Sequence, residues 1–212
     1  MSSIPPALRS APRPQPQQQR STETVGRILD AASALLDEVG FDRLTTNLIC
    51  QRAGLTPPAL YRHFAHKYAV MEELGRRLME AQNAALYGFL ATQAQLFLPV
   101  PALAAMLRGQ LELTRGQPGA RWIMRSLHST PALVHVRLES HQSVVDHLAA
   151  RHRAMAGMAA PDVVARRYRI AVDAGYAIVE LLLDQPMLDE EAVLLDTARM
   201  IAGLLEGPDK NR

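Results

Sequence analysis

Apolar positions recur at intervals of three and four along most of the chain, and no stretch alternates in the way a half-buried strand would. Val25, Ile28, Leu29, Ala32, Leu35, Leu36 and Val39 form the stripe of a first helix, which Ser21 or Thr22 can cap and Gly40 can end. A second, short helix fits Thr45 to Ala53, with Leu48, Ile49 and Ala53 inward, and stops at Gly54. The third follows at once: Thr56 as cap, Pro57 at the first helical position, and Leu60 and Phe64 four residues apart on the buried face. If Thr56 is the cap, its oxygen must bond the amide of Ala59, because Pro58 has none. Two short helices joined by Gly54, Leu55 and Thr56 read as a helix-turn-helix, with the first helix as the lid that so short a pair cannot supply for itself.

A long helical run is expected from Lys67 to about Phe97, ended by Leu98-Pro99-Val100-Pro101. Further helices are expected over Ala102 to Thr114, Arg121 to Leu127, Pro131 to Arg153 and Pro161 to Leu183, with a last one capped by Asp189 and ending before Gly207-Pro208. The last two carry more apolar surface than one face needs, including Val163, Ile170, Ile178, Val193, Met200 and Leu204, so a second subunit is expected to cover the outer side. The fold class is all-α, with about nine helices. The expected domains are a basic Pro/Gln-rich disordered arm over 1–20, a helix-turn-helix domain over 21–68, a helical effector-binding and dimerisation domain over 69–207, and a tail over 208–212.

Composition narrows this picture. Aromatic residues make up 5% of a chain that is 48% hydrophobic, so the core must be built mainly from aliphatic and Met side chains, a mix that favours helices. The single Cys50 excludes a disulfide within one chain and is best read as buried packing beside Ile49. No apolar run reaches the roughly 18 to 20 residues that span a bilayer, and a cytoplasmic location is expected. A net charge of +2 permits nucleic-acid binding without requiring it. From Glu23 to Lys67 the charge is balanced: Arg27, Arg43, Arg52, Arg62 and Lys67 against Glu23, Asp30, Asp37, Glu38 and Asp42. The leader carries Arg9, Arg13 and Arg20 and no acid, so it is either a solvated tail or an arm that touches DNA.

Gly40-Phe41, Thr45, Ile49, the turn Ala53-Gly54-Leu55-Thr56, then Leu60-Tyr61, His63-Phe64 and Lys67 agree in order and spacing with one family. This region resembles the DNA-binding region of the tetracycline-repressor (TetR) family of regulators. The resemblance implies that Thr56, Tyr61, His63 and Lys67 meet the DNA backbone and set register. Base contacts would fall to Arg62, which can donate to guanine, and to Pro57 and the methyl of Thr45 or Thr46, which can touch thymine methyls; Asn47 and Gln51 come second. The chain departs from the pattern at Leu44, Cys50 and Tyr68, and above all at Pro58, directly after Pro57. Two prolines remove two amide donors from the start of the helix, so phosphate contacts should depend on side chains.

Beyond Arg76 the resemblance is one of length and helical order alone. It implies a dimerising ligand domain, with the last two helices pairing across the dimer and the helices between Phe89 and Arg153 surrounding a pocket. Candidate lining residues are Leu103, Met106, Leu107, Trp122, Met124, Leu127, Val144 and Tyr176, with polar tips from His128, Gln142 or His147. Such a pocket suits an apolar or amphipathic effector. His128, His135, His141, His147 and His152 lack the spacing that puts two on one helical face, and no metal or cofactor is expected. No nucleophile elbow or phosphate loop accompanies Ser126, His128 and Ser129, so no enzyme is expected.

The residues and the resemblance together imply a ligand-responsive repressor that binds a near-palindromic operator in double-stranded DNA as a homodimer and is released by a small molecule. Two alternatives stay open: a regulator that binds DNA without effector control, and a helical dimeric small-molecule-binding module without regulatory DNA binding.

Overall fold

A computed structural model describes residues 16–156 and 160–206, and within them the chain forms nine α-helices and no strand. The expected tail over 208–212, and residues 1–15 of the expected arm, lie outside the described residues. Helix α1 spans Pro16–Arg43. It starts five residues ahead of Ser21, because Gln17, Gln18, Gln19 and Arg20 are adequate helix formers once a proline has opened the turn. Gly40 breaks it as expected, at φ 72° and ψ 173°, and one more turn follows to Arg43.

Helix α2 (Thr46–Ala53) is capped by Thr45, whose Oγ1 accepts from the Leu48 N–H at 3.2 Å, and ends on Gly54 in the left-handed region. Helix α3 is a five-residue turn, Pro57–Tyr61. Helix α4 (Lys67–Ala91) is shorter than the run expected to Phe97. The Thr92 hydroxyl turns back on the Phe89 carbonyl at 2.7 Å, and Arg151 from α7 donates to the carbonyls of Gln93 and Gln95, so the loop backbone is satisfied without helix.

Helices α5 (Val100–Arg115), α6 (Ala120–Ser129), α7 (Val134–Ala156), α8 (Pro161–Asp184) and α9 (Glu190–Glu206) complete the body. Pro131 opens a turn rather than α7 itself, and Asp189 caps α9 through its carboxylate and the Ala192 N–H. Among the described residues no helix is long and apolar enough to cross a membrane.

One apolar core fills α1, α2 and α3 and continues without a break through Val70, Met71, Leu74 and Leu78 of α4 into Ile123, Met124 and Leu127 of α6. The boundary expected at residue 68 therefore runs through a continuous core. A second core joins Leu90, α5, α8 and α9, and a third lies between α7 and α8.

The junction between head and body is close. Gly119, at φ 73°, lies where an added Cβ would stand 2.8 Å from the Ser33 carbonyl oxygen, and its N–H donates to Asp37 of α1 at 2.8 Å. The Trp122 ring covers Gly40, and a Cβ on Gly75 of α4 would meet Leu127 of α6 at 2.7 Å. On its other side α6 is tied to α8 by Arg121 and Arg125, both on Asp184 at 2.8 Å.

Candidate nucleic-acid interface and ligand cavity

Helices α2 and α3 are too short to hold their angle by backbone alone, and side chains lock it. Tyr61 and Thr46 share a hydrogen bond of 3.0 Å between their hydroxyls, joining the two helices on their exposed side. Arg27 of α1 donates to the Ala53 carbonyl and, at 3.2 Å, to the Gly54 carbonyl, which answers the orphan carbonyls at the end of α2. Arg52 forms a forked pair with Glu38 of α1. Inside, Ile49, Cys50, Ala53, Leu60 and Phe64 are buried, and burial pushes the Cys50 thiol pKa up, as suits a packing residue.

Lys67 is half-buried. Its ammonium donates to the Phe41 carbonyl at 3.2 Å and sits 4.5 Å from the centre of the Phe41 ring. Arg43 donates back to the Val39 carbonyl at 3.1 Å. Of the five basic residues from Arg27 to Lys67, four are thus engaged within the chain, and Arg62 alone stands exposed without an intramolecular partner among the described residues. A balanced charge count hid this inequality.

Thr56 behaves differently from expectation. Its hydroxyl caps nothing; its backbone carbonyl takes the Ala59 N–H at 2.9 Å and the Leu60 N–H at 3.2 Å. Pro57 and Pro58 have no amide hydrogen to lend, so no backbone donor of α3's first turn is left for an anion. The exposed hydroxyls of Thr56 and Thr45 are the groups left to donate there. Thr45, Thr46, Thr56, Pro57, Pro58, Tyr61 and Arg62 gather on α2, α3 and the turn between them, while His63 and Lys67 follow where the chain turns into α4. His66 was not among the expected site residues; its Nδ1 accepts the Ala69 N–H at 3.1 Å and caps α4. Its signal was its place, one residue before a long apolar helix.

In the body, a cavity of about 100 Å³ lies between α4, α5, α7, α8 and α9. Leu103, Met106, Leu107, Val144 and Tyr176, all expected around a ligand, line it, together with Leu86 and Leu90 of α4. Gln82, Gln110, Arg151 and Tyr168 add polar groups to its wall, and the Gln82 amide donates to Thr114 at 2.7 Å while its Oε1 is buried without a partner in the chain.

The other expected lining residues stand elsewhere. Trp122 packs on Gly40 at the junction because α6 presents that face to α1. His147 stacks on Tyr87, with ring centres 4.0 Å apart. Gln142 bonds Asp146 along α7. Met124, Leu127 and His128 line a second, larger space of about 400 Å³, between α4, α6, α7 and α8, which shares Tyr176 with the first. His135 pairs with Glu72, and among the described residues no three His, Cys, Asp or Glu side chains are grouped so as to hold a metal ion.

Comparison with known proteins follows the same division. A family model described as bacterial regulatory proteins, tetR family, matches residues 28–74, which is α1 after its first turns through the start of α4. An HTH-type transcriptional regulator of Mycobacterium tuberculosis (strain ATCC 25618 / H37Rv) is 31% identical over 198 residues, covering 89% of this chain and 98% of that protein. The class A tetracycline repressor from transposon 1721 of Escherichia coli is 43% identical over 56 residues, 26% of each chain. Among solved structures, a putative TetR-family regulator from Syntrophomonas wolfei superposes with a TM-score of 0.71 at 11% identity, covering 90% of this chain and 99% of that one. The family model is thus confined to the stretch from α1 to the start of α4, while likeness of fold extends over 90% of the chain.

Proposed function

The chain belongs to the TetR family of bacterial regulatory proteins and is a DNA-binding transcriptional regulator, and from that premise we propose that it is a homodimeric repressor whose grip on a near-palindromic operator is released by a small apolar or amphipathic molecule. The observation that carries the reading is the path of α4. It starts with Lys67, held against Phe41 of the head, and 15 residues later places Gln82, then Leu86 and Leu90, in the wall of the body's cavity. A ligand that moves this helix moves the head, and α6, wedged against Gly75 of α4 and pressed through Gly119 on α1, stiffens the connection.

On this reading, Thr45, Thr56, Tyr61 and His63 hold phosphates, Lys67, anchored on Phe41, fixes where α4 leaves the head, and Pro57 at the start of α3 and Arg62 at its end reach bases in a major groove about 12 Å wide. Pro58 makes the start of that helix rigid. Thr46 serves mainly by fixing Tyr61. The exposed side chains of Ile170 and Met200, on α8 and α9, and Gly203, with nothing near its Cβ position, support pairing of these helices with those of a second copy. The two heads would then sit about one DNA turn, near 34 Å, apart.

The name of the tetracycline repressor, 43% identical over 56 residues, supports the repressing sign. The test is sedimentation of the purified protein with fragments selected by it from genomic DNA, at fixed salt. A two-to-one protein-to-site complex on a near-palindromic sequence is expected. A one-to-one complex, or selection of no common sequence, would overturn the dimeric-operator reading.

A further inference from the structure

The larger space between α4, α6, α7 and α8 differs in kind from the aliphatic cavity. Helix α7 contributes Arg137 and His141, four residues apart and so on one face; α8 contributes Arg169, Asp173 and Tyr176 in the same register. His128 and Glu180, 3.0 Å apart, stand at its exposed side, and Met79, Met124 and Leu127 supply apolar wall.

His141 is 1% exposed. Its Nδ1 meets the Asp173 carboxylate at 2.5 Å, and Arg169 donates to the other carboxylate oxygen at 2.6 Å. Burial raises the Asp173 pKa, but the hydrogen bonds from Arg169 and His141 outweigh it and hold the carboxyl below its ordinary value. An ionised carboxylate only accepts, so His141 must donate from Nδ1. Burial also lowers the His141 pKa, against the pull of Asp173 and with the help of Arg137 and Arg169, which leaves the ring neutral and Nε2 a bare acceptor.

That Nε2 is buried and has no partner in the chain, and the same holds for Nε of Arg137, a donor one helical turn earlier on the same wall. The His141 ring cannot swing to find one, because it stacks on Tyr176 with centres 4.2 Å apart, and Tyr176 is itself bonded to Asn83 at 3.0 Å. A buried acceptor and a buried donor on residues that line one space can be met together by a single group that donates to the first and accepts from the second. A hydroxyl does both. A carboxylate serves only Arg137, and an ammonium serves only His141.

We propose that this chamber is a binding site for a small hydroxyl-bearing ligand, a phenol or an alcohol, whose O–H donates to His141 Nε2 and accepts from Arg137 Nε–H while its apolar body lies against Met79, Met124 and Leu127. The site rests on the reading of the body as an effector domain only for its regulatory consequence; the binding chemistry stands by itself. Tyr176, common to both spaces, is the wall through which occupancy of one is felt in the other.

The test is calorimetric titration of the full chain with phenol, cyclohexanol, toluene and benzoate, with the His141 ring nitrogens followed by NMR in parallel. Phenol or cyclohexanol should bind at least about tenfold more tightly than toluene and benzoate, and the Nε2 resonance should move with the hydroxyl compounds alone. Which of the two binds more tightly identifies the ligand as aromatic or aliphatic. His141→Phe, which keeps a ring against Tyr176, should lower hydroxyl-compound affinity about tenfold and leave toluene unchanged. Arg137→Met should act in the same direction if His141→Phe does not fold. Equal affinity for phenol, cyclohexanol and toluene, tighter binding of benzoate, absence of binding by either hydroxyl compound, or variants that bind like the parent would each overturn the assignment. Operator affinity measured in the same samples separates the two readings. Phenol bound with operator affinity unchanged keeps the chamber and removes its regulatory role; operator binding without phenol binding removes the chamber and keeps the regulator.

Discussion

The head and the body of this protein differ in how their polar groups are satisfied. In the head, Arg27, Arg52 and Lys67 are spent on carbonyls, a carboxylate and a ring, and no buried side-chain polar atom among the described residues lacks a partner. In the body, Gln82 Oε1, Arg137 Nε and His141 Nε2 are buried without partners in the chain, and all three belong to residues that line a cavity. The head is complete before it meets DNA, and the body has bonds still to make. A reader of DNA gains from arriving preorganised, whereas a sensor needs binding energy that appears only with its ligand.

The comparison breaks most easily at the seam. Gly119→Val forces a β-branched residue to φ 73°, with a Cβ 2.8 Å from a backbone oxygen of α1, and should cost about 3 kcal/mol in denaturant unfolding. A loss below about 1 kcal/mol would mean that α6 is not pressed on the head as described. Arg62→Ala should come next, lowering operator affinity about tenfold and relaxing the sequence preference at the base it reads, with Tm unchanged. If Arg52→Ala weakened binding as much, the distinction between spent and free cations would fail.

Pro58→Gly sharpens the point about preorganisation. Glycine loosens the first turn of α3 while returning one amide donor to it; with the loosening the larger effect, operator affinity should fall about threefold with the domain still folded. Unchanged affinity in a band-shift titration would show that the double proline has no part in recognition. The smallest effect concerns Asp184, where burial raises the carboxyl pKa but hydrogen bonds from Arg125 and Arg121 outweigh it and hold it low. A group depressed on folding stabilises the fold above its unfolded pKa, and this contribution is lost as pH falls through the folded value. Asp184→Asn should therefore lower Tm slightly at neutral pH and leave it close to the parent's well below about pH 4, so that the acid side of the Tm-against-pH curve flattens. An unaltered acid limb would contradict the tie between α6 and α8.

Much of the head was legible in the sequence because its rules are local. Thr45, Gly54 and Pro57 act within a turn of themselves, and Leu60 with Phe64 needs only helical spacing. Thr56 misled because its backbone carbonyl did the work expected of its side chain. In the body, Leu103 and Leu107 on one helix were readable as a lining, but Trp122 was not readable as a junction residue, since only the fold brings it to Gly40. The same holds for Arg137 and His141: their spacing was visible, yet its meaning depends on Arg169 and Asp173 arriving from another helix.

The central claim is that this head, complete in itself, reads one operator as part of a pair. The most direct measurement is footprinting of the purified full chain on the DNA upstream of its own gene and, beside it, on sequences selected from the genome, at one stated salt concentration. The account predicts protection of a near-palindromic site whose halves lie about one helical turn apart, weakened by Arg62→Ala. Uniform protection without sequence preference, or protection that Arg62→Ala leaves intact, would contradict it.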